Sequence, residues 1–160
     1  MLLMGKKIKP GTGHEEGREL LNALYRQYCG KEMPTIRIAP LGKPYFEDGP
    51  YFSITHTENH VFCAISEKPI GIDAEELDRK VNLRLAEKIL SPAEQQRFAQ
   101  AEDKRLALLK LWVLKEADGK RTGQGIQHPP IHTDFSPDDP RITVRDGCLL
   151  AIIEEEDHVI

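Results

Sequence analysis

The segment G-I-D-A-E at residues 71–75 and the segment W-V-L-K-E-A at residues 112–117 decide the fold and the chemistry that we predict for this chain. If the apolar run that leads into Asp73 is a strand, Asp73 and Glu75 project from one face near its end. Carboxylate oxygens are the ligands that a hard cation such as Mg²⁺ prefers in proteins. With Glu116 from the second segment, the three acids predict a divalent-cation site.

Each acid also has a purely structural interpretation. Strand ends commonly carry solvated carboxylates, so Asp73 and Glu75 alone do not indicate a metal site. On a helix, Trp112, Glu116 and Lys120 follow one another at four-residue steps, which is also typical of an amphipathic helix with an ion pair at its boundary. Only the combination of the two segments, in this order, favours the metal interpretation.

Length and composition limit the class of protein. A chain of 160 residues, 39% of them hydrophobic, can bury one compact core, and we predict a single domain over residues 1–160. The net charge of −4 argues against a surface built for nucleic acid or an anionic membrane. The three cysteines form no C-x-x-C pair, and no run approaches the roughly 20 apolar residues of a spanning helix. We therefore expect a cytoplasmic protein without nucleic-acid or membrane partners.

Apolar spacing predicts the elements of the first half of the chain. Residues 6–13 lack an apolar period and predict an irregular start. Residues 14–28 carry leucines and tyrosines at three- and four-residue steps and predict a helix that stops at Gly30. Alternating or β-branched runs then predict four strands, at residues 35–39, 51–55, 61–65 and 70–74.

The second half begins with a strong helix-start signal. S-P-A-E at residues 91–94 combines a serine cap, proline at the first helical position and a glutamate three residues after the cap. The helical pattern breaks near residues 101–103 and weakens at 118–119. A proline-rich loop follows, with a short strand near Ile131, and a terminal hairpin is predicted around the turn Asp146-Gly147.

The two opening segments resemble the G-[IV]-D-x-E and W-x-x-K-E motifs of the 4'-phosphopantetheinyl transferases, in particular the larger, surfactin-synthetase-activating type with a shortened N-terminus. The resemblance covers about residues 17–125. It implies an α+β fold of two pseudo-symmetric subdomains, approximately residues 1–70 and 71–160, each with a small antiparallel sheet and a long helix. It also implies transfer of the 4'-phosphopantetheine group of coenzyme A to a serine of an apo acyl or peptidyl carrier protein, with release of 3',5'-ADP.

The resemblance assigns roles to the acidic residues and to one lysine. Asp73, Glu75 and Glu116 are implied as ligands of Mg²⁺, because three carboxylates alone would repel the pyrophosphate of coenzyme A. Glu116 is also implied as the base for the serine proton, directly or through a metal-bound water. Lys120 is implied to stabilise or protonate the leaving phosphate.

Upstream elements resemble the parts of the family that hold coenzyme A. G-K-P around Lys43 resembles an element whose lysine reaches the coenzyme A phosphates, and F-S-I-T-H-T resembles F-N-x-S-H-[ST], which implies phosphate contacts from Thr55 and His56. Arg18 stands in the place of an arginine that lies beside the nucleotide in larger members. Taken singly, these residues have ordinary interpretations as a turn lysine, a surface histidine and an arginine that covers its helix.

Departures from the family pattern keep other functions open. Ser53 stands where the family has asparagine, Asp118-Gly119 precedes Lys120 where helix-favouring residues are usual, and the N-terminal region is short. One alternative is a catalytically impaired family member that only binds coenzyme A or a carrier protein. The other is a Mg²⁺-dependent phosphohydrolase that uses the same pair of acids.

Histidines four residues apart raise the question of a zinc site. A loop between strands separates His56 from His60, and two prolines interrupt the spacing of His128 and His132. Both features oppose the helix that would align such a pair, so we predict no zinc site from either.

A carrier protein would need a local docking surface, because the chain has no overall positive charge. Arg79, Lys80, Arg84 and Lys88 form the densest basic group beside the acidic motif. We predict that carrier proteins dock here, and the alternative is an ordinary solvated helix face.

Overall fold

The computed structural model of the protein describes residues 1–125 and 134–156. The elements follow in the order β1 (Leu2–Lys7), α1 (Gly13–Cys29), β2 (Arg37–Ile38), β3 (Pro44–Tyr45), β4 (Tyr51–His56), β5 (His60–Ser66), β6 (Ile70–Glu76), α2 (Leu85–Ile89), α3 (Pro92–Gln100), α4 (Lys104–Thr122), β7 (Ile142–Arg145) and β8 (Cys148–Glu154). Helices and antiparallel sheets are both present, which confirms the predicted α+β class. In this described part, no helix combines the length and the apolar character that crossing a bilayer requires.

Two three-stranded antiparallel sheets form the centre of the fold, in the orders β1-β5-β4 and β6-β8-β7. Helix α1 packs on one face of the first sheet, through a cluster that includes Leu21, Leu24 and Val61. Phe62 and Ala64, on the other face, pack against Ile70, Ile72, Ala74 and Leu150 of the second sheet. Helix α4 covers the remaining face of the second sheet, so the layers run helix, sheet, sheet, helix.

The irregular start predicted at residues 6–13 is confirmed for residues 8–12, but its first two residues belong to strand β1, which was not predicted. Residues 2–7 pair with β5 along its whole length, from Leu2 opposite Ile65 to Lys7 opposite His60. The strand ends in two lysines, Lys6 and Lys7, which extend into solvent at the edge of the sheet. A strand with this composition has no recognisable apolar pattern. The predicted strand at residues 35–39 is also shorter than expected, since only Arg37–Ile38 pairs, with Pro44–Tyr45.

The helix signals in the second half act locally, and most of them are confirmed. Ser91 and Glu94 form the reciprocal capping box of α3, and the chain breaks after Gln100 before α4 begins. Helix α4 does not weaken at Asp118-Gly119 but runs to Thr122, so that expectation was wrong. Gly119 has a packing role: a Cβ there would lie 2.8 Å from the Cα of Gly125, which folds back against the helix.

The hairpin at the C-terminal end of the described chain is confirmed. Strands β7 and β8 pair antiparallel, with Arg145 opposite Cys148. Asp146 and Gly147 between them both have positive φ, 51° and 77°, as a two-residue hairpin turn of the mirror-image type requires. The strand predicted near Ile131 lies outside the described residues.

Candidate functional site

The acidic site lies where α4 crosses β6. A Cβ at Gly71 would overlap the carbonyl oxygen of Ala117 and come within 2.5 Å of the backbone nitrogen of Arg121. Only glycine therefore allows the helix to approach the strand this closely. The contact places Glu116 and Lys120, on α4, beside the side chain of Asp73, on β6.

Asp73 is the buried centre of this site. Its side chain accepts hydrogen bonds at Oδ1 from Lys120 Nζ at 3.0 Å and from Thr55 Oγ1 at 3.4 Å. Its Oδ2 is buried and has no hydrogen-bond partner. Burial raises the pKa of Asp73 to about 6; Lys120 opposes this increase, and the charges of Glu116 and Glu75 add to it. An ionised carboxylate with an unpartnered buried oxygen is a position that a cation would stabilise.

The two other acids share this electrostatic environment. Burial raises the pKa of Glu116, Lys120 opposes the increase, and Glu75 adds to it. Glu75 is paired with Arg79, four residues along the chain. The three predicted metal ligands are thus neighbours that repel one another. Lys120 pairs with Asp73, and Arg79 pairs with Glu75.

Asp73, Glu75 and Glu116 are not gathered as tightly as a metal-bound set. Within residues 1–125 and 134–156, one group of at least three His, Cys, Asp or Glu side chains has ligand atoms within 4.8 Å of one another, and it consists of His60, Glu76 and Cys148. The donor types of the acidic set still suit Mg²⁺, because all are carboxylates and Asp73 Oδ2 is unpaired. Lys120 is bonded to Asp73 Oδ1, so Oδ2 is the oxygen of Asp73 that remains for a cation.

Alternate hydroxyl side chains on and beyond β4 attach the first sheet to the free edge of β6. Ser53 Oγ accepts the N–H of Ile72 at 3.0 Å, and Thr55 Oγ1 accepts the N–H of Ala74 at 3.1 Å. Ser53 therefore has a definite partner on β6. The sequence pattern S-x-T-x-T at residues 53–57 places hydroxyl groups on one face of β4 and the residue after it. That these hydroxyls bond to β6 is visible only in the structure.

Thr55 and His56, predicted as phosphate contacts, take different positions. Thr55 is buried between the sheets and bonded to β6, so its hydroxyl is already engaged. His56 is exposed, and its ring lies so close to Gly13, where α1 begins, that a Cβ at Gly13 would collide with it. It lines a cleft of about 790 Å³ together with Glu75 and Arg79.

Lys43 lies on another side of the acidic site, in a pocket of about 270 Å³ that Glu116 and Lys120 also line. Its Nζ donates to the carbonyl oxygen of Arg121 at 2.6 Å, near the C-terminal end of α4. Burial lowers the pKa of Lys43, and the charge of Arg121 lowers it further. Lys43 thus has a helix-capping contact that sequence reasoning did not anticipate.

Arg18 is not brought to the acidic site. It lines a separate groove on α1, with Glu19, Asn22 and Arg26. His60, weighed for zinc together with His56, contacts Glu76 and Cys148 instead, and the other pair weighed, His128 and His132, lies outside the described residues. All four side chains of the predicted docking group, Arg79, Lys80, Arg84 and Lys88, are exposed, and Arg79 pairs with Glu75.

Comparison with known proteins places the chain in a family. Residues 69–157, which include β6, α4 and the terminal hairpin, match the family model described as the 4'-phosphopantetheinyl transferase superfamily. The chain belongs to this superfamily. Both acidic segments of this superfamily member, residues 71–75 and 112–117, lie within the matched region.

Curated relatives have the same family name or a related one. The chain is 31% identical over 136 residues to the 4'-phosphopantetheinyl transferase HetI of Nostoc sp.; the aligned region covers 78% of this chain and 57% of HetI. It is 34% identical over 92 residues to the 4'-phosphopantetheinyl transferase Sfp of Bacillus subtilis, and this alignment covers 55% of the chain and 41% of Sfp. It is 35% identical over 96 residues to enterobactin synthase component D of Escherichia coli, and this alignment covers 59% of the chain and 45% of the relative. The chain thus spans about two fifths to three fifths of the length of these relatives.

Proposed function

We propose that this superfamily member transfers the 4'-phosphopantetheine group of coenzyme A to a serine of an apo acyl or peptidyl carrier protein, with Mg²⁺ and with release of 3',5'-ADP. The observation that carries the proposal is the buried, unpartnered Oδ2 of Asp73 beside Glu116 and Lys120. The names of the relatives support the reaction class. The three free cysteines are compatible with a cytoplasmic location, which we also propose.

Asp73, Glu75 and Glu116 would hold Mg²⁺ in this proposal. The bound cation would neutralise the pyrophosphate and stabilise the charge that develops during transfer. Lys120 contacts Asp73 Oδ1 at 3.0 Å and would have to leave this contact to act on the substrate. Its ammonium could then donate to the leaving 3',5'-ADP phosphate, which is the role proposed for it.

Glu116 is the proposed base. In the metal-free protein burial raises the pKa of Glu116, and its carboxylate beside Asp73 is placed to accept a proton directly or through a metal-bound water. The carboxylate would take the proton from the carrier serine hydroxyl, whose oxygen then attacks the β-phosphorus of coenzyme A. Glu75 pairs with Arg79 through Oε1, so its other carboxylate oxygen is the one that would bind the cation.

The two cavities beside the acidic site are the proposed coenzyme A surfaces. His56, exposed in the larger cleft, can donate to a phosphate oxygen without breaking a contact. Lys43 already donates one N–H to the Arg121 carbonyl, and Thr55 donates its only hydroxyl hydrogen to Asp73 Oδ1, a bond that it must give up to reach a phosphate. We therefore rank His56 above both as a coenzyme A contact and make no assignment for Arg18.

Intact-mass spectrometry of an apo carrier protein incubated with coenzyme A and Mg²⁺ tests the proposal. A phosphopantetheine mass increment on the carrier supports it. Free pantetheine phosphate without labelling would indicate the hydrolase instead, and coenzyme A binding without either product would indicate the binding-only member. Asp73→Asn should lose the increment, whereas Asp48→Asn, an exposed aspartate away from the site, should retain it.

A further inference from the structure

A second group of metal-ligand side chains lies on the face of β6 opposite to the acidic site. Side chains alternate along a strand, so Asp73 and Glu75 face α4 while Glu76 faces the first sheet. Glu76 lies opposite Cys148 in the β6–β8 register, and His60, at the start of β5, reaches both of them from the first sheet. Three strands from two different sheets therefore contribute one side chain each.

The separations within this group match those around a tetrahedral transition metal. His60 Nδ1 lies 3.1 Å from Glu76 Oε1 and 3.4 Å from Cys148 Sγ, and Cys148 Sγ lies 3.7 Å from Glu76 Oε2. Zn–S bonds of about 2.3 Å and Zn–N or Zn–O bonds of about 2.0–2.1 Å, at tetrahedral angles, separate sulfur from nitrogen or oxygen by roughly 3.6 Å and nitrogen from oxygen by roughly 3.4 Å. The three donors need little movement to bind one ion.

The surroundings hold these donors in place. Thr57 Oγ1 donates to Glu76 Oε1 at 2.6 Å, the kind of outer contact that orients a metal-binding carboxylate. The His60 ring stacks on Phe62, with the ring planes 18° apart, and Cys148 is fully buried in the apolar layer between the sheets. The side chains of His60 and Glu76 remain 14% and 23% exposed, which leaves one side of the group open to water.

We propose that His60 Nδ1, the Glu76 carboxylate and Cys148 Sγ bind one Zn²⁺ ion, with a water as fourth ligand. Thiolate and imidazole donors select Zn²⁺ over Mg²⁺, which takes oxygen ligands, so this site differs in metal from the acidic site. The ion links the rim of the first sheet to the second, and its binding stabilises the folded state. The proposal is independent of phosphopantetheine transfer.

Cobalt substitution of the full chain tests the proposal. Co²⁺ is added to reduced, metal-free protein and followed by absorption spectroscopy. We expect one equivalent to give a thiolate-to-cobalt charge-transfer band together with the strong visible bands of four-coordinate cobalt. The band should disappear in Cys148→Ser and persist in Cys29→Ser, whose thiol lies outside the group. It should also persist in Asp73→Asn, because carboxylates of the acidic site produce no thiolate band.

His60→Gln, checked for folding by circular dichroism, provides a second test if Cys148→Ser does not fold. It should lose the four-coordinate visible bands, and the rise in melting temperature that Zn²⁺ causes in the unmodified chain should be absent. Absence of a thiolate band in the unmodified chain would overturn the proposal. A band that disappears in Cys29→Ser but survives in Cys148→Ser would also overturn it, since a different thiol would then bind the metal.

Discussion

Replacing Asp73 by asparagine should stabilise the metal-free protein at neutral pH. The folded-state pKa of Asp73, about 6, lies about two pH units above its ordinary value of 3.8. Between these two values the folded chain holds a proton that the unfolded chain has released, so the free energy of unfolding falls as pH rises. The loss is complete above the folded-state pKa and amounts to about 3 kcal/mol, at about 1.4 kcal/mol per pH unit. Asparagine imitates the protonated acid and avoids this loss.

Urea unfolding in the presence of a chelator, at a series of pH values from about 4 to 8, measures the effect. Asp73→Asn and the unmodified chain should have similar stability near pH 4 and diverge through pH 6, with the variant more stable at pH 7.5. Mg²⁺ should then stabilise the unmodified chain at pH 7.5 and leave the variant unchanged. Asp48→Asn is the matched control and should follow the unmodified chain throughout.

Parallel stability profiles for the two proteins would refute the reasoning, because the buried carboxylate would then not be the group whose charge is penalised. A variant less stable than the unmodified chain at pH 7.5 would refute it as well. That result would mean that the ion pair with Lys120 outweighs the burial of Asp73, contrary to the order of the two effects on its pKa.

Three further outcomes are expected. Gly71→Ala should destabilise the fold by about 3 kcal/mol or more in urea unfolding, because the methyl group would overlap the carbonyl of Ala117; an unchanged midpoint would show that α4 can shift without cost. Glu116→Gln should reduce kcat for carrier labelling by about 10²–10⁴-fold while coenzyme A binding, measured by calorimetry, is retained; full activity would remove Glu116 as the base. Reversing Arg84 and Lys88 to glutamate should raise KM for the carrier and blunt its salt dependence, and an unchanged KM at low salt would place docking elsewhere.

Local signals predicted much of the fold because they depend on neighbouring residues. The capping box at Ser91 and Glu94 and the turn at Asp146-Gly147 are satisfied within a few residues, so their sequences indicate them directly. Strand β1 was missed because its hydrogen bonds come from β5, more than fifty residues along the chain. Its sequence, L-L-M-G-K-K, also has no apolar alternation that would have marked it as a strand.

The sequence alone determined the family, the order of its motifs and the side-chain types of the acidic site. Only the tertiary structure decided which atoms meet: Lys120 with Asp73, Lys43 with the carbonyl of Arg121, and His60 with Cys148, 88 residues away. The physical reason is that strand alternation determines the face on which a side chain lies, but not which element packs on that face. The close approach at Gly71 and the hydroxyl contacts along β6 make that choice, because packing and hydrogen bonding between distant segments select one arrangement.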